Sequence, residues 1–121
     1  MVAALFDTCI LIDYLNGVPQ AKQELLQFER KSISLITWME VMVGVTPQTA
    51  TGTKAFLDAF VLLPINEKVA ERAVQLRQEK RIKLPDAIIW ATAHSNDLLF
   101  VTRNTKDFAH NEIGVRVPYQ R

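Results

Sequence analysis

Apolar and polar positions follow two rhythms along this chain, one of period two or continuous over a few residues, the other helical. The run Val2 to Phe6 is apolar and stops at a charged residue, which predicts a buried strand of a parallel sheet. Helical spacing follows over about 8–15 and 19–30, the two pieces parted by Gly17-Val18-Pro19. Ser32 to Ile36 alternates and predicts a second strand. Thr37 to Val45 reads as a helix, then comes a loose stretch from Thr46 to Gly52 and a helix over about 53–61. Leu62 to Ile65 makes a short strand. Glu67 to Lys83 predicts a long amphipathic helix, with Val69, Ala73, Leu76 and Lys80 at i, i+4, i+7 and i+11. Pro85 opens another helix at the first-turn position that proline favours. Its stretch from Ala87 to Ala93 is apolar nearly all round, so that helix is expected to be buried, with Trp90 as a packing residue. Leu98 to Thr102 and Val115 to Val117 predict the last two strands.

Short strands alternating with helices specify an α/β fold, a parallel sheet covered by helices on both faces. The absence of repeats, low-complexity tracts and Gly/Ser linkers leads us to expect one domain over 1–121. Hydrophobic residues at 49% and charged residues at 22% suit a soluble globular protein. No apolar run approaches the roughly 18–20 residues of a membrane span. The first residues carry no basic leader, and Cys9 is the only cysteine, which excludes an internal disulfide. A cytoplasmic protein without membrane association is the expectation.

The net charge of +1 says little, but its distribution says more. Residues 1–60 carry four Lys/Arg against six Asp/Glu, a balance of −2, and residues 61–121 carry ten against seven, a balance of +3. The excess is dense at Arg77, Lys80, Arg81 and Lys83. Such a run is ordinarily a solvated helix face, and nucleic acid is the competing reading.

Four carboxylates and one amide fall where chemistry would be expected. Asp7 follows the first strand, Glu40 lies in the helix after the second, and Asp86 is in the first turn of the buried helix. Asn104 and Asp107 follow the later strand. Each also has a plain structural explanation. Asp7 can cap the next helix, Thr37-Trp38-Met39-Glu40 has capping-box spacing, Asp86 suits a helix N-terminus, and Asp107 can brace a turn. Their convergence separates the readings. In an open parallel sheet ligands bind at the carboxyl ends of the strands, and all five residues map to that edge. Acids gathered there repel one another unless a cation lies between them. Oxygen ligands without His or Cys select Mg²⁺ or Mn²⁺. Such an ion activates water and stabilises a leaving oxygen at a phosphodiester. Ser32, Ser34 and Ser95 lie in no nucleophile motif, His94 and His110 are isolated, and Cys9 reads as a small buried apolar residue.

Four segments, Leu5 to Cys9, Ser34 to Glu40, Leu84 to Ala93 and Thr102 to Phe108, resemble in order and spacing the four motifs of VapC-type PIN-domain toxins. The resemblance covers almost the whole chain. It implies a three-layer α/β/α sandwich around a mostly parallel sheet, and a Mg²⁺- or Mn²⁺-dependent endoribonuclease. It also implies a homodimer and repression by a small VapB-like antitoxin. Carried over by position, Asp7, Glu40 and Asp86 are the core metal ligands. Asn104 stands where many relatives carry an acid, so Asp107 becomes the candidate fourth ligand. Thr8 and Thr102 are supporting hydroxyls. Beside such an edge, Lys80, Arg81, Lys83, Arg103 and Lys106 become candidate RNA contacts. The RNA itself, transfer, ribosomal or messenger, is left open. Residues 37–61, with Trp38, Met39, Met42 and Phe56, are a candidate dimer interface or else ordinary core.

Two other enzyme classes fit poorly. A haloacid-dehalogenase-like phosphatase wants a second Asp where Cys9 stands, and a phosphoacceptor receiver wants paired acids and a late Lys. The remaining alternative is a PIN-fold binding module for RNA or protein that has lost catalysis.

Overall fold

The computed structural model describes residues 3–106 and 114–120. Its elements run β1 (Ala3–Phe6), α1 (Thr8–Leu15), α2 (Pro19–Leu26), β2 (Arg30–Ser34), α3 (Leu35–Val43), α4 (Ala50–Asp58), β3 (Val61–Leu63), α5 (Glu67–Lys80), α6 (Leu84–Ser95), β4 (Leu99–Val101) and β5 (Val115–Arg116). The five strands form one sheet in the order β3-β2-β1-β4-β5. The sheet expected to be mostly parallel is parallel at every described pairing. β1 sits at its centre, with Ala4, Leu5 and Phe6 fully buried, which is why it reads as a continuous apolar run.

Two core clusters separate the faces. One joins α5 and α6 to the sheet through Leu5, Val69, Leu76, Ile89, Trp90 and Phe100. The other packs α1, α2, α3 and α4 through Phe6, Ile10, Leu25, Ile33, Val41 and Phe60. Trp90 stacks on Phe100 with centroids 6.5 Å apart, and Lys80 Nζ lies 5.7 Å from the Trp90 ring centroid. Lys80 thus ends the α5 stripe as a cation over an aromatic face. Among the described residues, no helix is long and apolar enough to cross a membrane.

Several element ends differ from expectation, for local reasons. β2 covers Arg30–Ser34 rather than 32–36 because Ser34 turns the chain, its hydroxyl accepting from Ile36 N–H at 3.2 Å as the N-cap of α3. Ser32, Ile33 and Ser34 are all buried, so the serines mark an interior strand and not a wet face. The displaced strand shortens α2, which stops at Leu26. α4 and β3 likewise begin earlier than read, at Ala50 and Val61. α5 ends at Lys80 and not Lys83, because Arg81 adopts a left-handed conformation with φ 56°. Arg77 Nη1 then donates to the Ile82 carbonyl at 3.0 Å, satisfying backbone at the break. Trp38, Met42 and Phe56 pack partly buried against the second cluster, while Met39 is exposed.

Candidate metal centre

Topology brings the acids to one edge. In a parallel sheet every strand delivers its next residue to the same edge, and a helix preceding a strand starts from that edge too. β1 delivers Asp7, whose amide donates to Val101 of β4 at 2.9 Å. β2 leads into α3, which carries Glu40. α6 starts there with Asp86 in its first turn. β4 delivers Thr102 to Lys106. Asp7, Glu40, Asp86 and Asn104 line one cleft of about 510 Å³, with Thr8, Arg103 and Lys106 beside them. Asp107 and His110 lie outside the described residues. Lys80, Arg81 and Lys83 are exposed and do not line the cleft.

Asp7 does two jobs at once. It is the N-cap of α1, its Oδ1 accepting from Thr8 N–H at 2.8 Å. Its Oδ2 accepts from Thr102 Oγ1 at 2.7 Å and faces Cys9 Sγ at 3.6 Å. The side chain is buried, and burial raises its pKa. The hydrogen bonds oppose that rise and the charge of Glu40 adds to it. Every donor reaching Asp7 is neutral.

Glu40 is not in a capping box. Ser34 caps α3, so Thr37 sits inside the helix, fully buried. Thr8 donates to Glu40 Oε1 at 2.6 Å, and its hydroxyl lies 2.9 Å from that of Thr37. Thr8, one residue after Asp7, thereby fixes the second carboxylate across the cleft. Asn104 receives a backbone contact of its own, its N–H donating to Thr102 Oγ1 at 3.0 Å, and its Oδ1 accepts from Lys106 N–H at 3.2 Å. The Thr102 hydroxyl therefore links Asp7 to the loop that carries Asn104.

Cys9 is half-buried, and burial, with the Asp7 charge second, pushes its thiol up to about 12. It is a neutral thiol at physiological pH and no nucleophile. Ser32 and Ser34 are buried in β2, and His94 accepts at Nδ1 from Arg72 Nε away from the cleft. Neither Cys9 nor these serines and His94 supplies a nucleophile at the cleft.

The donor set fits a hard divalent cation. Its charged ligating groups are carboxylates, without imidazole, and the buried one has only neutral donors around it. Among the described residues no three Asp, Glu, His or Cys side chains converge into a ready-made cage. An open cleft of this size suits an ion that keeps several of its waters.

Sequence reasoning did not identify Asp13 and Tyr119. Arg103, expected at RNA, directs its guanidinium into Asp13, with Nε to Oδ2 at 2.5 Å and Nη2 to Oδ1 at 3.1 Å. Tyr119 donates to Asp13 Oδ2 at 2.8 Å. The one available signal was a lone acid inside the apolar run from Cys9 to Leu15.

Known proteins share this fold. The PIN-domain family profile matches residues 4–113. Ribonuclease VapC10 of Mycobacterium tuberculosis is 30% identical over 112 residues, covering 86% of this chain and 84% of that protein. A toxin-antitoxin complex from Klebsiella pneumoniae superimposes with a TM-score of 0.93 at 50% identity, over 98% of this chain and 100% of that one. DNA-bound VapBC from Salmonella typhimurium superimposes with a TM-score of 0.77 at 24% identity, over 96% of each chain, a likeness of fold. The chain belongs to the PIN-domain family, and within it to the VapC type.

Proposed function

We propose that this chain is a Mg²⁺- or Mn²⁺-dependent endoribonuclease, the toxin of a type II toxin–antitoxin pair. In this reading it works in the cytoplasm as a homodimer and is restrained by a small VapB-like antitoxin. The observation that carries the reading is the meeting of Asp7, Glu40 and Asp86 at one cleft, with Asp7 buried among neutral donors. The Mycobacterium relative is a ribonuclease and the Klebsiella neighbour a toxin-antitoxin complex, which supports it further.

Asp7, Glu40 and Asp86 are the proposed ligands, with Asn104 at the rim and Asp107 as the fourth acid. A divalent cation held there would lower the pKa of an attacking water and offset charge gathering on the phosphodiester. Thr102 and Thr8 hold the Asp7 and Glu40 carboxylates in place, the orienting role that supports metal ligands. Lys106 at the cleft, and Lys80, Arg81 and Lys83 at the turn between α5 and α6, are the proposed phosphate contacts.

The test is cleavage of total bacterial RNA by purified wild type and Asp7→Asn, with Mg²⁺, Mn²⁺ or EDTA. Discrete fragments that require both metal and Asp7 are expected, and their ends would identify the RNA as transfer, ribosomal or messenger. No cleavage by folded wild type with either metal would contradict the reading and favour a PIN-fold binding module.

A further inference from the structure

Arg103 stands at the cleft, yet its charge is already engaged. Its fork meets both oxygens of Asp13, the bidentate geometry in which Arg pairs most strongly with a carboxylate. Asp13 is only 1% exposed. The Tyr119 hydroxyl donates to the same carboxylate, and burial together with that hydrogen bond raises the phenol's pKa, so it stays a donor. The three residues come from α1, the segment after β4 and the segment after β5. For Arg103 to leave Asp13 for a phosphate, a bidentate ion pair to a buried carboxylate would have to break, which is costly.

The pinned stretch is the one that faces the candidate metal edge. Just before Arg103, Thr102 donates to Asp7 and accepts from Asn104 N–H. Just after it, Asn104 Oδ1 accepts from Lys106 N–H. Arg103 is thus anchored between the hydroxyl that orients Asp7 and the two side chains that Asn104 and Lys106 present to the cleft.

We infer that Asp13, Arg103 and Tyr119 form a positioning clamp for residues 102–106, and that Arg103 acts through this clamp and not as a phosphate contact. The inference rests on the ribonuclease reading above. Asp13 and Tyr119 do not line the cleft; they are positioning residues whose effect reaches the reaction through the loop.

The experiment compares RNA cleavage by the full chain and its Asp13→Asn, Arg103→Lys and Tyr119→Phe variants, with thermal melting and Mn²⁺ affinity on the same proteins. Asp13→Asn and Arg103→Lys should each lower kcat about 10- to 100-fold, the usual cost of disturbing groups behind a metal site. KM and the slope of binding against salt should change far less than kcat, because Arg103 itself makes no phosphate contact. Tyr119→Phe leaves the ion pair and should lower kcat about 2- to 10-fold, the worth of one hydrogen bond. It carries the test if Asp13→Asn melts below the assay temperature.

Arg103→Lys with wild-type kcat, or variants that change only KM and the salt slope, would overturn the clamp in favour of a phosphate contact. Should folded wild type cleave no RNA, the ribonuclease reading fails by itself. The clamp is then judged on Mn²⁺ affinity alone, with a fall of about tenfold in Asp13→Asn expected and an unchanged affinity overturning it.

Discussion

Two pairs of acids in this protein have opposite surroundings. Asp13 and Glu24 are buried in α1 and α2, and each receives a full arginine fork, from Arg103 and Arg116 respectively. Glu24 accepts from Arg116 Nε at 2.6 Å and Nη2 at 2.9 Å. Asp7 and Glu40, by contrast, receive hydroxyl, thiol and amide donors, all neutral. The first pair is neutralised inside the chain and ties the C-terminal strand and loop to the helices. The second pair is held in position while its charge stays uncompensated by those donors. A buried carboxylate with its own guanidinium is explained by architecture. One oriented by neutral groups beside another acid suits a cation from outside, as the proposed function requires.

This contrast can be broken first through stability. Arg116→Met strands Glu24 in the core, and we expect a loss of about 2–3 kcal/mol, below the full cost of a broken buried pair because Arg116 is itself partly exposed. That corresponds to a melting temperature roughly 10 °C lower for a chain of this size. Asp7→Asn should instead hold or raise the melting temperature in EDTA. Its Oδ1 can still accept from Thr8 N–H, the Thr102 hydroxyl can turn to accept from the new amide, and the buried charge is gone. A large fall in Asp7→Asn would mean that Asp7 is a structural acid like Asp13.

A smaller effect tests how the second pair is held. Thr102→Val removes the donor to Asp7 Oδ2 and should weaken Mn²⁺ binding about tenfold. The melting temperature should shift by only a few degrees. Calorimetric titration checks the first and a thermal scan the second. The smallest effect concerns the rim: Lys106→Gln should lower the slope of log affinity against log salt for RNA by about one, measured by fluorescence anisotropy.

Most of the edge was legible in the sequence. Asp7, Glu40, Asp86 and Asn104 could be assigned to one edge because alternating strands and helices fix which end of the sheet each residue meets. The long-range pairings were not legible. Arg103 and Asp13 are 90 positions apart, Tyr119 and Asp13 are 106 apart, and no local periodicity relates them. Capping was legible in type but not always in place. Thr37 has the spacing of a cap, yet Ser34 takes that role, because the interior strand ends two residues sooner than its alternation suggests. The basic run from Arg77 to Lys83 read as one helix face. The left-handed Arg81 breaks it, so that Lys80 lies over Trp90 while Lys83 precedes the helix of Asp86.

The central claim is that Asp7 is a cation ligand while the paired acids are not, and Mn²⁺ titration of wild type, Asp7→Asn and Glu24→Gln tests it most directly. The account predicts binding by wild type, binding of similar affinity by folded Glu24→Gln, and loss of binding in Asp7→Asn. Equal Mn²⁺ affinity in wild type and Asp7→Asn would contradict it.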